Sequence, residues 1–398
     1  METQSLFSGL RVIDCASFIA APMAATILGD FGATVIKVEP PEGDAIFRSI
    51  HRRAGAANSD QNYAWDMGAR NKKSVSLDLK SKGDLDKLYR LVETADVFIT
   101  NTTFPARKKL LIDYENIAPL NPRLIYVSFT AYGETGPEAN NAGFDTTVFW
   151  GRSGILDMMR EEEEDGPPRV PPGMGDHTCA LTIYGAIVSA LYRRECTGLG
   201  SLVTSSLLMS GAWANCLTLQ AQLYQSKFPP RVPRRSSVNP LSNSYRTGDG
   251  RWIWLMIVNQ ARLWQRLLSA LALEEVAGDS RFATPNARSE NSEALIAVLD
   301  QAFAKRSLAE WKSVLDAAEI TFGVISTIEE SARDPQMIAA KAFVPFRDGS
   351  ALTVNSPFEI DGVTKIAPTK GPSVGQHNDE ILGSLDETGA FTPRSHKA

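Results

Sequence analysis

The chain has 398 residues, 43% of them hydrophobic and 22% charged, an ordinary globular composition with enough length for two or three domains. A formal net charge of −5 provides no general field for nucleic acid, so an anionic ligand depends on local basic groups. No stretch of about 18 apolar residues is present for a membrane span, and Met1 to Gly9 lack a secretory pattern, so the expected location is the cytoplasm with no membrane or nucleic-acid partner.

In chain order, Leu10 to Cys15 reads as a buried strand, Ala20 to Phe31 as a helix and Thr34 to Val38 as the next strand. Ser74 to Leu79 is predicted as a strand, Lys82 to Ala95 as a helix, and Asp96 to Ile99 and Leu124 to Phe129 as further strands. Strand and helix alternating in this way predict an α/β fold, a Rossmann-like parallel sheet with helices on both faces. The first strand is followed by Ala16-Ser-Phe-Ile-Ala-Ala-Pro22 and not by G-x-G-x-x-G, which argues against a nicotinamide dehydrogenase. Glu161 to Asp165, followed by Gly166-Pro-Pro168, reads as an exposed loop.

A helix from Asp176 to about Arg194 is apolar on most faces and so buried. A short strand around Leu202 to Thr204 and a second long helix, Leu207 to Tyr224, follow it. Lys227 to Pro240 holds four prolines and four basic residues and reads as a linker arm. Beyond it, the Thr247-Gly-Asp-Gly250 turn leading into a strand at Trp252 to Val258 signals a hairpin. Helices over Gln260 to Leu273, Asn291 to Ala304 and Ser307 to Ala318 complete a smaller α+β domain. The expected division is a large domain over 1–225, an arm over 226–242, a small domain over 243–330 and a segment over 331–398 returning to the large domain.

The stretch richest in chemistry is Gly173-Met-Gly-Asp-His-Thr178. It sets a carboxylate at the first turn of a helix, where backbone amides lack intrahelical partners, after glycines that let a ligand approach the main chain. Asp176 is therefore either a helix cap or a nucleophile able to form covalent acyl intermediates. Cys15, Cys179, Cys196 and Cys216 have no paired spacing, and the histidines are dispersed, so neither a disulfide framework nor a metal site is expected. Cys179 reads as a small buried hydrophobe. Phe18, Ile19, Phe144, Phe149 and Trp150 are either core or the walls of a pocket for a large apolar acyl group.

Several ordered motifs point one way: Phe7-Ser-Gly-Leu-Arg-Val-Ile-Asp14, Leu28-Gly-Asp-Phe-Gly-Ala-Thr-Val-Ile-Lys-Val-Glu39, Asn71-Lys-Lys-Ser74, Tyr132-Gly-Glu-Thr-Gly-Pro137, Gly175-Asp176, Asp279-Ser-Arg-Phe282, Asp334-Pro335 and Gly375-Gln-His-Asn-Asp-Glu380. In their order and spacing the chain resembles the family III CoA-transferases, the CaiB/BaiF family, from about Leu6 to Leu385. Asn71-Lys72-Lys73, Gly143-Phe144-Asp145, Pro172-Gly-Met-Gly-Asp-His177 and Asn239-Pro240 bring it nearest to the transferases for aryl or branched 2-hydroxy acids.

The resemblance implies that Asp176 attacks a donor thioester to give an aspartyl–acyl anhydride and CoA thiolate. The thiolate then attacks the aspartyl carbonyl, the donor acid leaves, and an acceptor acid reverses the sequence. An anhydride conserves the activation of the thioester, so neither ATP nor a metal is required. Oxyanion donors are expected from the helix start at His177 to Cys179 or from the main chain near Ile19 and Ala20. Phe18, Ile19, Ala20, Leu77, Lys80, Asn101 and Lys109 are the expected contacts to coenzyme A, which is a substrate and not a permanently bound cofactor. Lys72 and Lys73 are further basic candidates, and His177, Phe144 and Asp145 are expected near the substrate or behind it.

Three departures narrow the reading. Asn101-Thr-Thr-Phe-Pro105 stands where many relatives have Asn-Phe-Arg-Pro-Gly, and no polyglycine loop precedes Tyr245, as formyl transfer would need. Gly143-Phe144-Asp145 replaces the Gly-His-Asp of the racemases, and a phenyl ring cannot act as a general base. The resemblance also implies an interlocked homodimer. The alternatives are an α-methylacyl-CoA racemase-like enzyme and a catalytically silent CoA-ester-binding protein.

Overall fold

The computed structural model describes residues 5–53, 55–162 and 165–388. Glu163 and Glu164 of the acidic run, and the chain beyond 388, lie outside them. The chain divides into two compact units, one of 1–158, 169–226 and 338–398, the other of 159–168 and 227–337.

The first unit is built on six strands: β1 (Arg11–Asp14), β2 (Thr34–Glu39), β3 (Lys72–Ser76), β4 (Val97–Thr100), β5 (Ile125–Thr130) and β6 (Ser201–Ser206). They pair in the order β3-β2-β1-β4-β5-β6, and every pair is parallel. Continuous apolar runs such as Val97-Phe-Ile99 are buried on both sides, as interior parallel strands require. The strand order reverses between β1 and β4, and in such sheets the crevice beyond the carboxyl ends of those two strands is where ligands bind. Helix α1 (Ala20–Asp30) leaves the end of β1, α2 (Lys82–Glu93) follows β3, and the long α3 (Met174–Thr197) packs along α1.

Three local expectations need correction. β3 begins two residues early, at Lys72, because the Lys72 ammonium finds a buried partner in Asp14 at 2.9 Å; a charged residue can thus point into the core from a strand. The helix expected over Leu207 to Tyr224 is two helices, Leu207–Ala214 and Cys216–Leu223. Asn215 between them turns its amide inward to the Ser153 carbonyl, 2.9 Å away. Helix α3 starts at Met174, with Gly173 at φ 75° as its N-cap, so Asp176 sits inside the first turn and caps nothing. In the region 227–240, Arg234 donates to the Ser244 carbonyl at 2.7 Å and pairs with Asp300 at 2.5 Å within the second unit.

The returning segment explains the Gly375–Glu380 motif. His377 donates its amide to the Ser74 carbonyl at 3.0 Å and accepts the Ser74 amide on Nδ1 at 3.1 Å, and the Asn378 side chain accepts from Ser76 at 2.9 Å. These bonds close the open edge of β3.

The second unit contains an antiparallel sheet, β7 (Ser242–Arg246), β8 (Trp252–Met256) and β9 (Phe322–Val324), in that order, with the expected hairpin at its start. Its core gathers Tyr245, Trp264, Phe303 and Trp311. Among the described residues, no helix is long and apolar enough to cross a membrane.

Candidate active site

A cavity of about 630 Å³ opens in the first unit at the carboxyl ends of β1 and β4. Phe18, Ile19, Ala20, Asn101, Phe144, Asp145 and Asp176 all line it. The turn after β1 and the turn after β4 are tied together, since the Asn101 side chain accepts the Ser17 amide at 2.8 Å and donates to the Ser17 carbonyl at 2.7 Å. Phe18 is held at φ 62°, a left-handed conformation that a bulky residue rarely adopts, and its amide donates to Asp44 at 3.1 Å. Its ring lies 5.5 Å from that of Phe144, and together they form an aromatic wall.

The opposite wall is the start of α3. The His177 amide already donates to the Gly173 carbonyl at 2.9 Å, so the amides from His177 onward are spent on the helix and cannot serve as oxyanion donors. The amides of Gly173, Gly175 and Asp176 act instead on the Asp145 carboxylate. Asp145 is only 7% exposed, and burial raises its pKa against the opposing pull of those amides and of the Trp150 indole. Neither its oxygens nor Trp150 Nε1 has a protein partner in good hydrogen-bond geometry, which leaves polar capacity open at the cavity wall.

Gly175 makes this approach possible. A Cβ at that position would stand 2.2 Å from Asp145 Oδ1 and 2.4 Å from the Phe149 ring, so no other residue fits. The Asp145 residue leads into a π-helical turn, Thr146–Trp150, a distortion that often marks functional sites. Phe149 and Trp150 are core residues behind the wall and do not line the cavity.

Burial first, and the Asp145 charge second, push the Asp176 carboxyl up to about 7. Two carboxylates so close resist being charged together. Burial lowers the pKa of His177, which favours the neutral ring, and drives the Cys179 thiol up to about 12, too high for a thiolate nucleophile at neutral pH.

The remaining expected residues do not line this cavity. Leu77 is 1% exposed in the core behind the sheet, so its side chain is closed to a ligand. Lys80 and Lys109 are exposed outside the cavity, and His177 does not line it. Lys72 is 4% exposed and pairs with Asp14, and Lys73 pairs with Glu380, so neither stands free for a phosphate. Conversely, Ile50, Arg53, Thr130, Asn141 and Pro172 line the cavity without having been anticipated. Arg53, in the run His51-Arg-Arg53, is the single cationic side chain among the described lining residues.

The family model for CoA-transferase family III matches residues 7–378. The chain is 32% identical to the (R)-2-hydroxy-4-methylpentanoate CoA-transferase of Clostridioides difficile, over 96% of this chain and 95% of that one. It is 31% identical to the cinnamoyl-CoA:phenyllactate CoA-transferase of Clostridium sporogenes, over 96% and 94%. The solved structure of a CaiB/BaiF family protein from Brucella suis matches with a TM-score of 0.85 at 28% identity, covering 96% of this chain and all of the other. The ordered motifs, the close structural match and the near full-length family and sequence matches lead to one conclusion: the chain belongs to CoA-transferase family III.

Proposed function

We propose that Asp176 is the nucleophile by which this CoA-transferase moves CoA between two carboxylic acids. The observation that carries the proposal is the burial of Asp176 in the cavity wall beside Asp145, which together raise its pKa to about 7. A carboxylate with a raised pKa is more basic and a better nucleophile than an ordinary one. Its attack on R–CO–S–CoA forms the Asp176–O–CO–R bond and expels CoA thiolate. The thiolate then attacks the aspartyl carbonyl, giving the Asp176 thioester and releasing R–COO⁻, and the acceptor acid runs the two steps backwards. Asp176 is uncharged in both covalent intermediates, so each relieves its repulsion with Asp145 and the pair favours acyl transfer onto the enzyme. The Ala20 amide, at the start of α1 on the cavity wall, is the proposed oxyanion donor.

The acid is proposed to be an apolar monocarboxylate, branched or aromatic. The Phe18–Phe144 wall supports this, as does a lining with one cation, Arg53, where a dicarboxylate would require a charge partner for its second carboxylate in addition to the contacts of CoA. Relatives acting on 2-hydroxy-4-methylpentanoate and phenyllactate agree with it, although the acetyl-CoA:oxalate CoA-transferase of Acetobacter aceti is also 32% identical. Phe144 in the place of a racemase base argues against proton exchange at the α-carbon.

A homodimer is proposed on the exposure of Tyr192 (75%), Trp213 (78%), Leu217 (85%) and Tyr224 (79%), an apolar set larger than a monomeric surface normally leaves in water. Light scattering would read a dimer mass, and a monomer at micromolar concentration would refute it. The nucleophile is tested by incubating the protein with a panel of acyl-CoA esters and hydroxylamine. Mass spectrometry should find a hydroxamate at Asp176, and its absence with every ester would sink the reading.

A further inference from the structure

Beneath the cavity lies a cluster of charges that the proposed chemistry does not use. Asp14, Lys37 and Lys72 are 0%, 2% and 4% exposed. Lys72 Nζ lies 2.9 Å from Asp14 Oδ2, and Lys37 Nζ lies 3.8 Å from Asp14 Oδ1. Burial alone would raise the Asp14 carboxyl, but the two ammonium groups hold it below the usual carboxylate range. The nearby acids Glu39 and Asp30 are already matched, by Arg48 at 2.6 Å and Arg70 at 2.7 Å. One carboxylate thus faces two lysines, which is one more buried cation than charge balance requires. Burying an ammonium costs several kcal/mol, and an apolar side chain of similar size would do as well for stability.

The spare donors of both lysines go to the same place. Lys37 Nζ donates to the Ala16 carbonyl, and Lys72 Nζ donates to the Pro22 carbonyl at 2.6 Å. Asp14 Oδ1 accepts the Ala16 amide at 3.3 Å. These contacts grip the two ends of the turn that carries Phe18, Ile19 and Ala20, and Asn101 and Asp44 hold its middle through Ser17 and Phe18. Pro22 has no amide, and the amides of Ala20 and Ala21 at the first turn of α1 have no acceptor among the described residues.

We propose that Asp14, Lys37 and Lys72 form a positioning triad that fixes the turn Ala16–Pro22, so that the Ala20 amide and the Phe18 ring stand correctly opposite Asp176. This rests on the reading of Asp176 as nucleophile. An oxyanion donor must be fixed before the reaction begins, and a displacement of about 1 Å can cost on the order of 100-fold in rate. Two carbonyls anchored from below by buried ammonium groups supply that rigidity without touching the substrate.

Lys72→Met and Lys37→Met are the informative variants, because each leaves Asp14 with one lysine and the charges balanced. Each should lower kcat by about 10-fold or more while KM for the acyl-CoA stays within about 2-fold. The single-turnover rate of Asp176 adduct formation should fall in step. Lys72→Gln, which can still donate to the Pro22 carbonyl, should recover part of the loss. Should a methionine variant fail to fold, Asn101→Ala removes the half-buried side chain that ties the turn after β4 to Ser17 and should likewise lower kcat. Wild-type kcat per folded molecule in these variants, with only a lowered Tm, would overturn the triad's role. Failure of the wild-type protein itself to form the adduct would instead overturn the reading of Asp176.

Discussion

Asp14 lies buried beneath the cavity and Asp176 on its wall, and the surroundings of the two acids push them in opposite directions. Asp14 meets two ammonium groups and stays ionised, its oxygens fully engaged. Asp176 meets another acid, and burial together with that neighbour raises its pKa to about 7. A buried carboxylate with matched charge is a fastener, whereas one beside a like charge is an energised group. That difference is what supports the proposal of Asp176, and not Asp14, as the reacting acid.

Removing the energised acid should have the largest effect. Asp176→Asn should reduce transfer by at least about 10³-fold in a CoA-exchange assay with the fold intact by circular dichroism. Removing the fastener should strike stability instead. Asp14→Asn leaves Lys37 and Lys72 buried together without a counter-charge, and should cost about 3–5 kcal/mol in chemical denaturation. If Asp14→Asn proved as stable as wild type, the contrast between the two acids would collapse.

Asp145→Asn tests the interaction directly. It keeps the shape and removes the charge, so the Asp176 pKa should fall from about 7 but not to the ordinary value, because burial, the larger cause, persists. Where chemistry limits the rate, wild-type activity should rise with pH through about 7, and in Asp145→Asn this limb should move to lower pH. The weaker nucleophile should lower kcat by roughly 10-fold.

Much of the fold was legible because its signals are local. Val12-Ile13, Val97 to Ile99 and Ile125 to Phe129 are apolar runs that can only be interior strands, and their alternation with helices gives the sheet. The start of β3 escapes a local reading because Lys72 reads as a surface residue until its partner Asp14, 58 positions away in the chain, is known. The same holds for the break at Asn215, whose inward bond to Ser153 has no local signature. In the site, Gly173 to Asp176 stand out by residue type at the start of a helix. The reason for Gly175 did not, since it is the distant Asp145 and Phe149 that leave no room for a Cβ. Leu77 and the basic candidates were inferred by matching positions, and matching cannot distinguish a main-chain role from a side-chain one or a paired lysine from a free one.

The pKa contrast also makes a stability prediction opposite in sign to that for Asp14. In the unfolded chain Asp176 ionises near the ordinary 3.8, and in the folded protein near 7. Between those values the folded state holds the extra proton, so its stability declines as pH rises through that window and the loss is complete above about 7. Asp176→Asn cannot ionise and escapes this loss. At pH 8 it should be more stable than wild type by about 2 kcal/mol, a figure discounted for partial solvent access, and near pH 4 the gain should vanish.

The smallest expected effect concerns the aromatic wall. Phe144 is 56% exposed and packs edge-tilted on Phe18, so its loss leaves the core untouched. Phe144→Ala should leave Tm within about 1 °C, because surface substitutions away from packed features usually change stability by less than about 0.5 kcal/mol. Its effect should appear in selectivity: an aromatic pair contributes about 0.5–1.5 kcal/mol beyond area burial, so discrimination in kcat/KM between an aryl and a short alkyl acid should drop by roughly 3- to 10-fold. Equal losses for both acids would mean that the ring shields the reaction from water and does not read the acid. In that event the wall would belong with the fastening side of the cleft, and Asp176 would face a pocket whose selectivity arises elsewhere.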